Sequence, residues 1–313
     1  MTRKEFYRLI YDEIAVRLSD CYKKDEITIE KTYLTDGRQV MMLLFVKDGS
    51  LYAPGFNLDE YYEQYLIQIP KEEFDHGGTR DMAANLAVTD LLAFMTMDAV
   101  PADRHLLEEL AAAFDEPGTA CAYARQLPAE DAGLIERFTR SFSYPKESMR
   151  KGKEDLPQLG IRTFFCSDVC AMYRRDLYQQ LGGFPHKVIF NEDMIFAGKA
   201  VMAGYQVAYQ AGARVIHSHN YTGAVQFRRN FDLGVSQADY PELFDLTPSE
   251  TEGIRLVKDT AWYLIRKGRP DLLGKLVWQS GCKYLGYRLG KSYRKLPSFV
   301  IRRCTMNPSY WKQ

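Results

Sequence analysis

The chain runs to 313 residues, 46% hydrophobic and 13% aromatic, enough to bury the core of one large domain or two smaller ones. Forty-one basic residues balance forty-one acidic ones, so net charge argues against a protein that coats nucleic acid. No stretch approaches the roughly 18 uninterrupted apolar residues of a membrane span, and six scattered cysteines read as the reduced thiols of a cytoplasmic protein.

The N-terminal stretch MTRKEFYRLIYDEIAVRL spaces Phe6, Leu9, Ile10, Ile14 and Leu18 as an amphipathic helix, and its interspersed acids set it apart from a secretion signal. ITIEKTYL, QVMMLLFVK and LYAPGF follow as short strands, separated by TDGR and KDGS, whose Asp-Gly pairs favour hairpin turns. NLDEYYEQYLIQ predicts a helix capped by Asn57 or Asp59. Residues 1–67 therefore read as a small α+β segment of local connections without a catalytic constellation.

From residue 68 the pattern changes to strands alternating with helices, the mark of an α/β sheet. GGTRDMAANLA opens a helix, LLAFMTM is an apolar strand, PADRHLLEELAAAF is a helix with Pro101 near its start, and ACAYARQL is the next strand. A helix at GLIERFTRSF, a strand at RTFFCS and a helix at RRDLYQQL come next. After the turn GGFP there follow a helix at EDMIFAGKAVMAGY and strands at QVAYQ and ARVIHSH, with helical stretches over 222–240 and 251–290. Cys166 and Cys170 form a C-x3-C with no second pair to complete a zinc site. Between Arg266 and Arg303 eleven basic residues face the single acid Asp271, so the C-terminal part is strongly basic and the remainder net acidic.

Four features carry chemistry. Asp98 follows an apolar strand, and ligands of open α/β sheets gather at the carboxyl ends of strands; the plainer alternative is an acid in the first turn of the next helix. Glu192 and Asp193 stand at a helix start, where they either complement its dipole or hold one carboxylate ready to accept a proton. His217 and His219 share one face of a strand, as two metal ligands or as core histidines. Gly77 and Gly78 permit close backbone approach, and Arg80 can face a phosphate at a helix N-terminus.

In their order, HGGTRDMAANLA, FMTMDAVPAD, FFCSDVCAMYRRDLYQQLGGFP, FNEDMIFAGKAVMAGY and VIHSHNYTGAVQFRRNFDLG resemble family 2 glycosyltransferases of the GT-A fold, within them the rhamnosyltransferase-like members of bacterial surface polysaccharide synthesis. The resemblance covers about residues 68–313. It implies that Asp98 matches the metal-binding acid of the family's D-x-D stretch and holds Mg²⁺ or Mn²⁺ on a nucleotide diphosphate, with His217 or His219 assisting. Thr96 stands where many relatives carry the first acid. Asp193, with Glu192 beside it, matches the catalytic E-D pair, Asp193 as the base that deprotonates the acceptor. Arg80, Gly77, Gly78, Arg228 and Arg229 are expected on the diphosphate, and Phe184, Phe190 and Asn191 on the acceptor side.

The expected fold class is thus α/β: an incomplete GT-A (Rossmann-like) core over 68–240, a basic helical region over 241–313, and the α+β segment 1–67 standing where the family has its nucleobase-binding strands. That segment resembles uncharacterised bacterial proteins. Asp168 stands where the family has an asparagine. The expected function is metal-dependent, inverting transfer of a sugar, L-rhamnose from dTDP-rhamnose, to a glycan or lipid-linked acceptor. The enzyme is expected in the cytoplasm, peripheral on the inner face of the plasma membrane through its basic tail, with no nucleic-acid partner. The alternatives are a noncatalytic transferase remnant that binds glycan or a partner, and a metal-dependent phosphohydrolase, which the motif order opposes.

Overall fold

The computed structural model describes residues 75–312 except 88, 97 and 247–249, together with the strand residues 32–33, 39–45, 51–53 and 67–69. The helix expected at the N-terminus lies outside these residues. So does the helix expected over NLDEYYEQYLIQ, save that Ile67–Ile69 is a strand.

The strands are β1 (Thr32–Tyr33), β2 (Gln39–Phe45), β3 (Leu51–Ala53), β4 (Ile67–Ile69), β5 (Leu91–Thr96), β6 (Val100–Pro101), β7 (Thr119–Leu127), β8 (Met149–Lys151), β9 (Cys170–Arg174) and β10 (Gln206–Ile216). The main helices are α1 (His76–Leu86), α2 (Leu106–Ala111), α3 (Leu134–Ser143), α4 (Arg175–Gln180), α5 (Glu192–Met202), α6 (Gly223–Asp239), α7 (Glu250–Arg266), α8 (Leu273–Lys291) and α9 (Ser298–Cys304). Eight strands make one mixed sheet in the order β1-β2-β5-β9-β7-β10-β6, with β8 also on β10, while β3 and β4 pair separately. β1 and β2, which flank TDGR, pair antiparallel. β3 pairs with β4 among the described residues, and the hairpin turn expected at KDGS lies outside them.

The central strands are buried on both faces, which is why LLAFM and TACAYA read as continuous apolar runs rather than alternating ones. One face packs Phe94, Tyr173, Tyr178, Phe184 and Phe196 edge to face, with ring centroids from 5.1 to 5.9 Å apart. The other packs Ala93, Met95 and Met172 against Leu106, Leu110 and Phe114.

Strand direction decides where the chemistry gathers. β5 and β7 both run antiparallel to β9, and β10 runs parallel to β7. The carboxyl ends of β5, β7 and β10 therefore share one sheet edge with the start of β9, and that edge carries Asp98, Gln126, His217 and the Ser167–Asp168 pair. β2 lies parallel to β5 with Phe45 opposite Thr96, so a strand from the N-terminal segment ends at this same edge.

Three local departures from the expected elements have physical causes. Pro101, which has no N–H to donate, sits in the edge strand β6 opposite Val215 instead of opening a helix, and regular helix begins only at Leu106. RTFFCS begins in a short 3-10 helix, Gly160–Phe164, and Lys151, 2% exposed, donates from its ammonium to the carbonyls of Arg162 at 3.0 Å and Phe165 at 2.5 Å where that helix ends. The strand lies instead at Cys170–Arg174. QVAYQ and ARVIH are one strand, β10, interrupted by an irregularity between Gln210 and Arg214.

The C-terminal helices are fastened to the rest by backbone contact. A Cβ on Gly286 of α8 would run into the carbonyl oxygen of Phe227 on α6, and one on Gly290 into that of Phe231. Gly234 of α6 faces the Tyr287 carbonyl in the same way.

Candidate active site

Asp98 lies two residues past β5, and His217 and His219 follow β10, whose pairing with β7 extends through a bond from His217 N to the Leu127 carbonyl at 2.9 Å. One ligand atom from each of the three lies within 4.8 Å of the others. Asp98 Oδ2 is 3.5 Å from His217 Nε2 and 3.3 Å from His219 Nε2, and the two Nε2 atoms are 3.0 Å apart. The side chains are graded in burial, His217 at 9%, His219 at 31% and Asp98 at 43% exposed, so the cluster opens outward on the carboxylate side.

A second shell fixes these groups. His217 Nδ1 meets Gln126 Oε1 at 2.9 Å, and that oxygen also accepts from Arg140 Nη1, while Gln126 Nε2 donates to Ser167 Oγ at 3.0 Å. The contact at Nδ1 fixes the ring and turns its Nε2 edge toward Asp98. Burial lowers the His217 pKa, which favours the neutral imidazole that a metal requires. The hydrogen bonds from His217 and His219 hold the Asp98 carboxyl well below the usual carboxylate range, against the opposing effect of burial. Tyr221 stacks on His219 with ring centroids 4.7 Å apart.

The acid pair stands across this network. Asp193, in the first turn of α5, accepts from Met194 N at 2.7 Å and from Asp168 N at 3.0 Å. Asp168 follows Ser167 in the chain, so Asp193, Gln126 and His217 belong to one connected set. Burial, then the charges of Glu192 and Asp168, push the Asp193 pKa up to about 8. Burial also raises Asp168, to about 6. Asp193 nonetheless keeps part of its surface open. The preceding residue, Asn191, is held at φ 66°, a left-handed conformation uncommon outside glycine, at the entry to this helix.

The phosphate-binding role expected for GGTR meets a different placement. Arg80 is 6% exposed and directed inward, 2.5 Å from Glu192 Oε1 and 3.3 Å from Asp168 Oδ2. It braces the carboxylates rather than reaching for a ligand. Glu192, 8% exposed, is held by that guanidinium. The N-terminus of α1 is already taken, because Asp75 Oδ2 accepts from Gly78 N at 2.9 Å and from Lys187 N at 2.8 Å. Gly77 and Gly78 serve this packing: a Cβ on Gly77 would strike the Pro185 carbonyl, and one on Gly78 the capping carboxylate.

Arg228 and Arg229 are exposed on α6. The Arg229 guanidinium lies 4.6 Å from the Phe190 ring and 5.9 Å from Tyr221, which brings it to the histidine side of the site. Arg228 makes no comparable approach among the contacts to these rings. Phe184, expected on the acceptor side, is 1% exposed in the aromatic core and meets no substrate. Gln126, Ser167 and Tyr221 escaped the sequence reading, because nothing in ACAYARQL or HSHNY marks a glutamine or tyrosine as a neighbour of those histidines.

Comparison with known proteins gives three results. The family model described as "Glycosyl transferase family 2" matches residues 35–182, and so takes in β2. The O-antigen chain rhamnosyltransferase WbaN of Salmonella anatum is 38% identical over 86% of this chain and 85% of its own length. RfbN of Salmonella typhimurium, also an O-antigen chain rhamnosyltransferase, is 40% identical over 79% of each. Among solved structures, a mannosyltransferase from Pyrobaculum calidifontis in complex with GDP-Man and Mn²⁺ superposes with a TM-score of 0.38 at 15% identity, covering 74% of this chain and 62% of that one.

Proposed function

The chain belongs to glycosyl transferase family 2, and from that premise we propose that it transfers a rhamnosyl group, with inversion, from a deoxythymidine diphosphate donor to a hydroxyl of a glycan acceptor. The donor assignment draws on its likeness to the two O-antigen rhamnosyltransferases. The observation that carries the mechanism is the joining of Asp193 to the Asp98–His217–His219 cluster through Asp168, Ser167 and Gln126. A base with a raised pKa on one side and an anion-holding centre on the other are the two things a displacement at an anomeric carbon needs. The transferase reading is favoured over the remnant reading by the candidate base and the candidate ligand set standing together.

In this scheme Asp193 accepts the proton of the acceptor hydroxyl as its oxygen attacks. Backbone N–H groups of Asp168 and Met194 hold the carboxylate in place, and Arg80 fixes Glu192 beside it. Asp98, His217 and His219 would hold a divalent cation, and one carboxylate with two imidazoles suits Mn²⁺ better than the oxygen-seeking Mg²⁺. Bound there, the cation would neutralise charge on the departing diphosphate. The reading is tested by incubating the purified chain with dTDP-rhamnose, UDP- and GDP-sugars and following release of the nucleoside diphosphate. Turnover of dTDP-rhamnose alone is expected, and turnover of none would sink it.

The metal assignment makes its own prediction. Gln126→Leu removes the acceptor that orients His217, so Mn²⁺ affinity read by electron paramagnetic resonance is expected to fall about ten- to hundredfold. Unchanged affinity would separate the histidines from metal binding.

We also propose that the basic C-terminal helices rest on anionic lipid, where lipid-borne acceptors reside. No helix among the described residues is long and apolar enough to cross a membrane. Yet Trp262 and Ile265 on α7, Val277, Trp278 and Leu285 on α8 and Phe299 on α9 are each 49–68% exposed. Exposed Lys267, Lys275, Arg288, Arg302 and Arg303 lie among them. Trp278→Ala is expected to weaken sedimentation with phosphatidylglycerol vesicles about tenfold, with no change on neutral vesicles; equal binding to both would refute an anionic surface.

A further inference from the structure

The loop that leads into α5 is held in a conformation its residues would not choose alone. Lys187 has φ 53° and Asn191 φ 66°, and among the described residues these are the two non-glycine positions in the left-handed region. Such backbone persists only where the surroundings over-determine it. Asp193 follows directly, in the first turn of α5, so whatever fixes residues 187–191 also fixes where that helix begins.

The loop is held from three sides. Asp75, ahead of α1, accepts from Lys187 N at 2.8 Å. On α6, Ser236 Oγ donates to the Phe190 carbonyl at 2.5 Å, and Ile189 is buried in one cluster with Phe231, Val235 and Ile301. The third side is the segment 305–311 that follows α9. There the Tyr310 hydroxyl donates to the Lys187 carbonyl at 3.1 Å, and the rings of Tyr310 and Trp311, 5.1 Å apart, pack on that same cluster.

This segment is itself tied to α6. Asp232, 3% exposed and one turn before Ser236, accepts from Thr305 Oγ1 at 2.6 Å and from Met306 N at 2.9 Å. Asn307 N in turn donates to Thr305 Oγ1 at 3.0 Å. Burying a carboxylate costs free energy unless its hydrogen bonds are supplied, and these donors come from the segment, so the cost is offset only when the segment is in place. Helix α6 therefore anchors both the loop and the segment that crosses to it, and Tyr310 joins one to the other.

We propose that residues 305–311 are a strap, anchored on Asp232 and closed by Tyr310, that holds residues 187–191 in the conformation from which α5 presents Asp193. Tyr310 is a positioning residue, acting on Asp193 through the backbone between Lys187 and Asn191. The proposal rests on the transferase reading for its effect on turnover, and on the hydrogen bonds alone for its effect on the loop.

The bond between Lys187 and Val188 is a direct probe, because Lys187 is exposed and trypsin cuts after lysine, at the carbonyl that Tyr310 holds. The full chain is digested under native conditions, and cutting after Lys187 is compared with cutting elsewhere by mass spectrometry. Tyr310→Phe keeps the ring and loses the hydroxyl. It is expected to raise cutting after Lys187 about three- to tenfold, as loss of one hydrogen bond from a locally opening loop does, with other sites within about twofold of wild type. Thr305→Val should do the same from the anchored end, and Thr305→Ser, which keeps the hydroxyl, should retain wild-type resistance. A tyrosine that served only the fold would raise cutting at all sites together. In the transfer assay Tyr310→Phe should lower kcat about tenfold, as misplacement of a catalytic group does, and leave the KM for dTDP-rhamnose within about twofold. Cutting after Lys187 within about twofold of wild type in both Tyr310→Phe and Thr305→Val would overturn the strap. An unchanged kcat with a loosened loop would overturn its positioning role. If the wild type turns over no sugar nucleotide, the transferase reading fails, while the proteolysis still decides the strap.

Discussion

Asp193→Asn is expected to lower kcat by about 10²–10⁴-fold, the usual contribution of a positioned base, while dTDP and Mn²⁺ affinities stay within a few-fold of wild type. Asparagine matches the carboxylate in shape but cannot take the proton. Because burial and the neighbouring Glu192 and Asp168 push Asp193 up to about 8, the wild-type kcat/KM should climb with unit slope as pH rises toward 8 and level off above it. The same shift acts on stability with a definite sign. Asp193 keeps its proton in the folded chain up to about pH 8 but loses it in the unfolded chain near pH 4, roughly the ordinary aspartate value. The folded state therefore binds the extra proton across that window, and stability falls as pH rises through it. The asparagine variant is free of this loss, so its melting temperature should gain on wild type between pH 6 and pH 9. A variant that keeps more than a tenth of wild-type turnover would remove Asp193 from the role of base.

Arg80→Met should be the most damaging substitution to the fold. It leaves Asp168, Glu192 and Asp193 packed together with their shared guanidinium gone, and removing one partner of a buried ion pair costs about 3–5 kcal/mol. Part of that cost can be relieved by protonation, since Asp168 and Asp193 are already raised by burial and by their acidic neighbours. Urea denaturation should accordingly show a larger loss at pH 8 than at pH 6. If Arg80 were instead a phosphate ligand, the midpoint would hardly move and only donor affinity would drop.

The cluster of Asp98, His217 and His219 was legible in the sequence because its information is local. An acid just past one apolar strand and two histidines just past another are placed by the strands they follow, and β5 and β10 deliver them to the same edge, although β10 ends at Ile216, short of the alternation expected for His217 and His219. Arg80 was legible only as a residue type. An arginine after two glycines at a helix start suits a phosphate equally well, and what turns it inward is Glu192, 112 positions away. Phe184 shows the same limit: beside GGFP it reads as a loop aromatic, yet it fills a gap among Phe94, Tyr173 and Phe196. RTFFCS failed as a strand because Lys151, which meets the carbonyls where its 3-10 helix ends, lies in another element. The sheet itself was the more legible part, since strands buried on both faces announce themselves as unbroken apolar runs, whereas β2 joining β5 in parallel is a long-range pairing without a local signal.

The glycine contacts between α6 and α8 bear on how the chain could be divided. Where two helices touch through their backbones, no side chain is available to adapt if one is shortened or replaced. Residues 273–291 carry Trp278, exposed but with one edge of its ring against Gly223 of α6, and Gln279, which donates to the carbonyl of Tyr221, the ring stacked on His219. A form shortened before α8 would thus lose the support of the proposed catalytic centre along with the surface proposed to meet lipid. On the proposed reading, attachment and catalysis draw on the same helix, so truncation removes both where a point substitution such as Trp278→Ala addresses one.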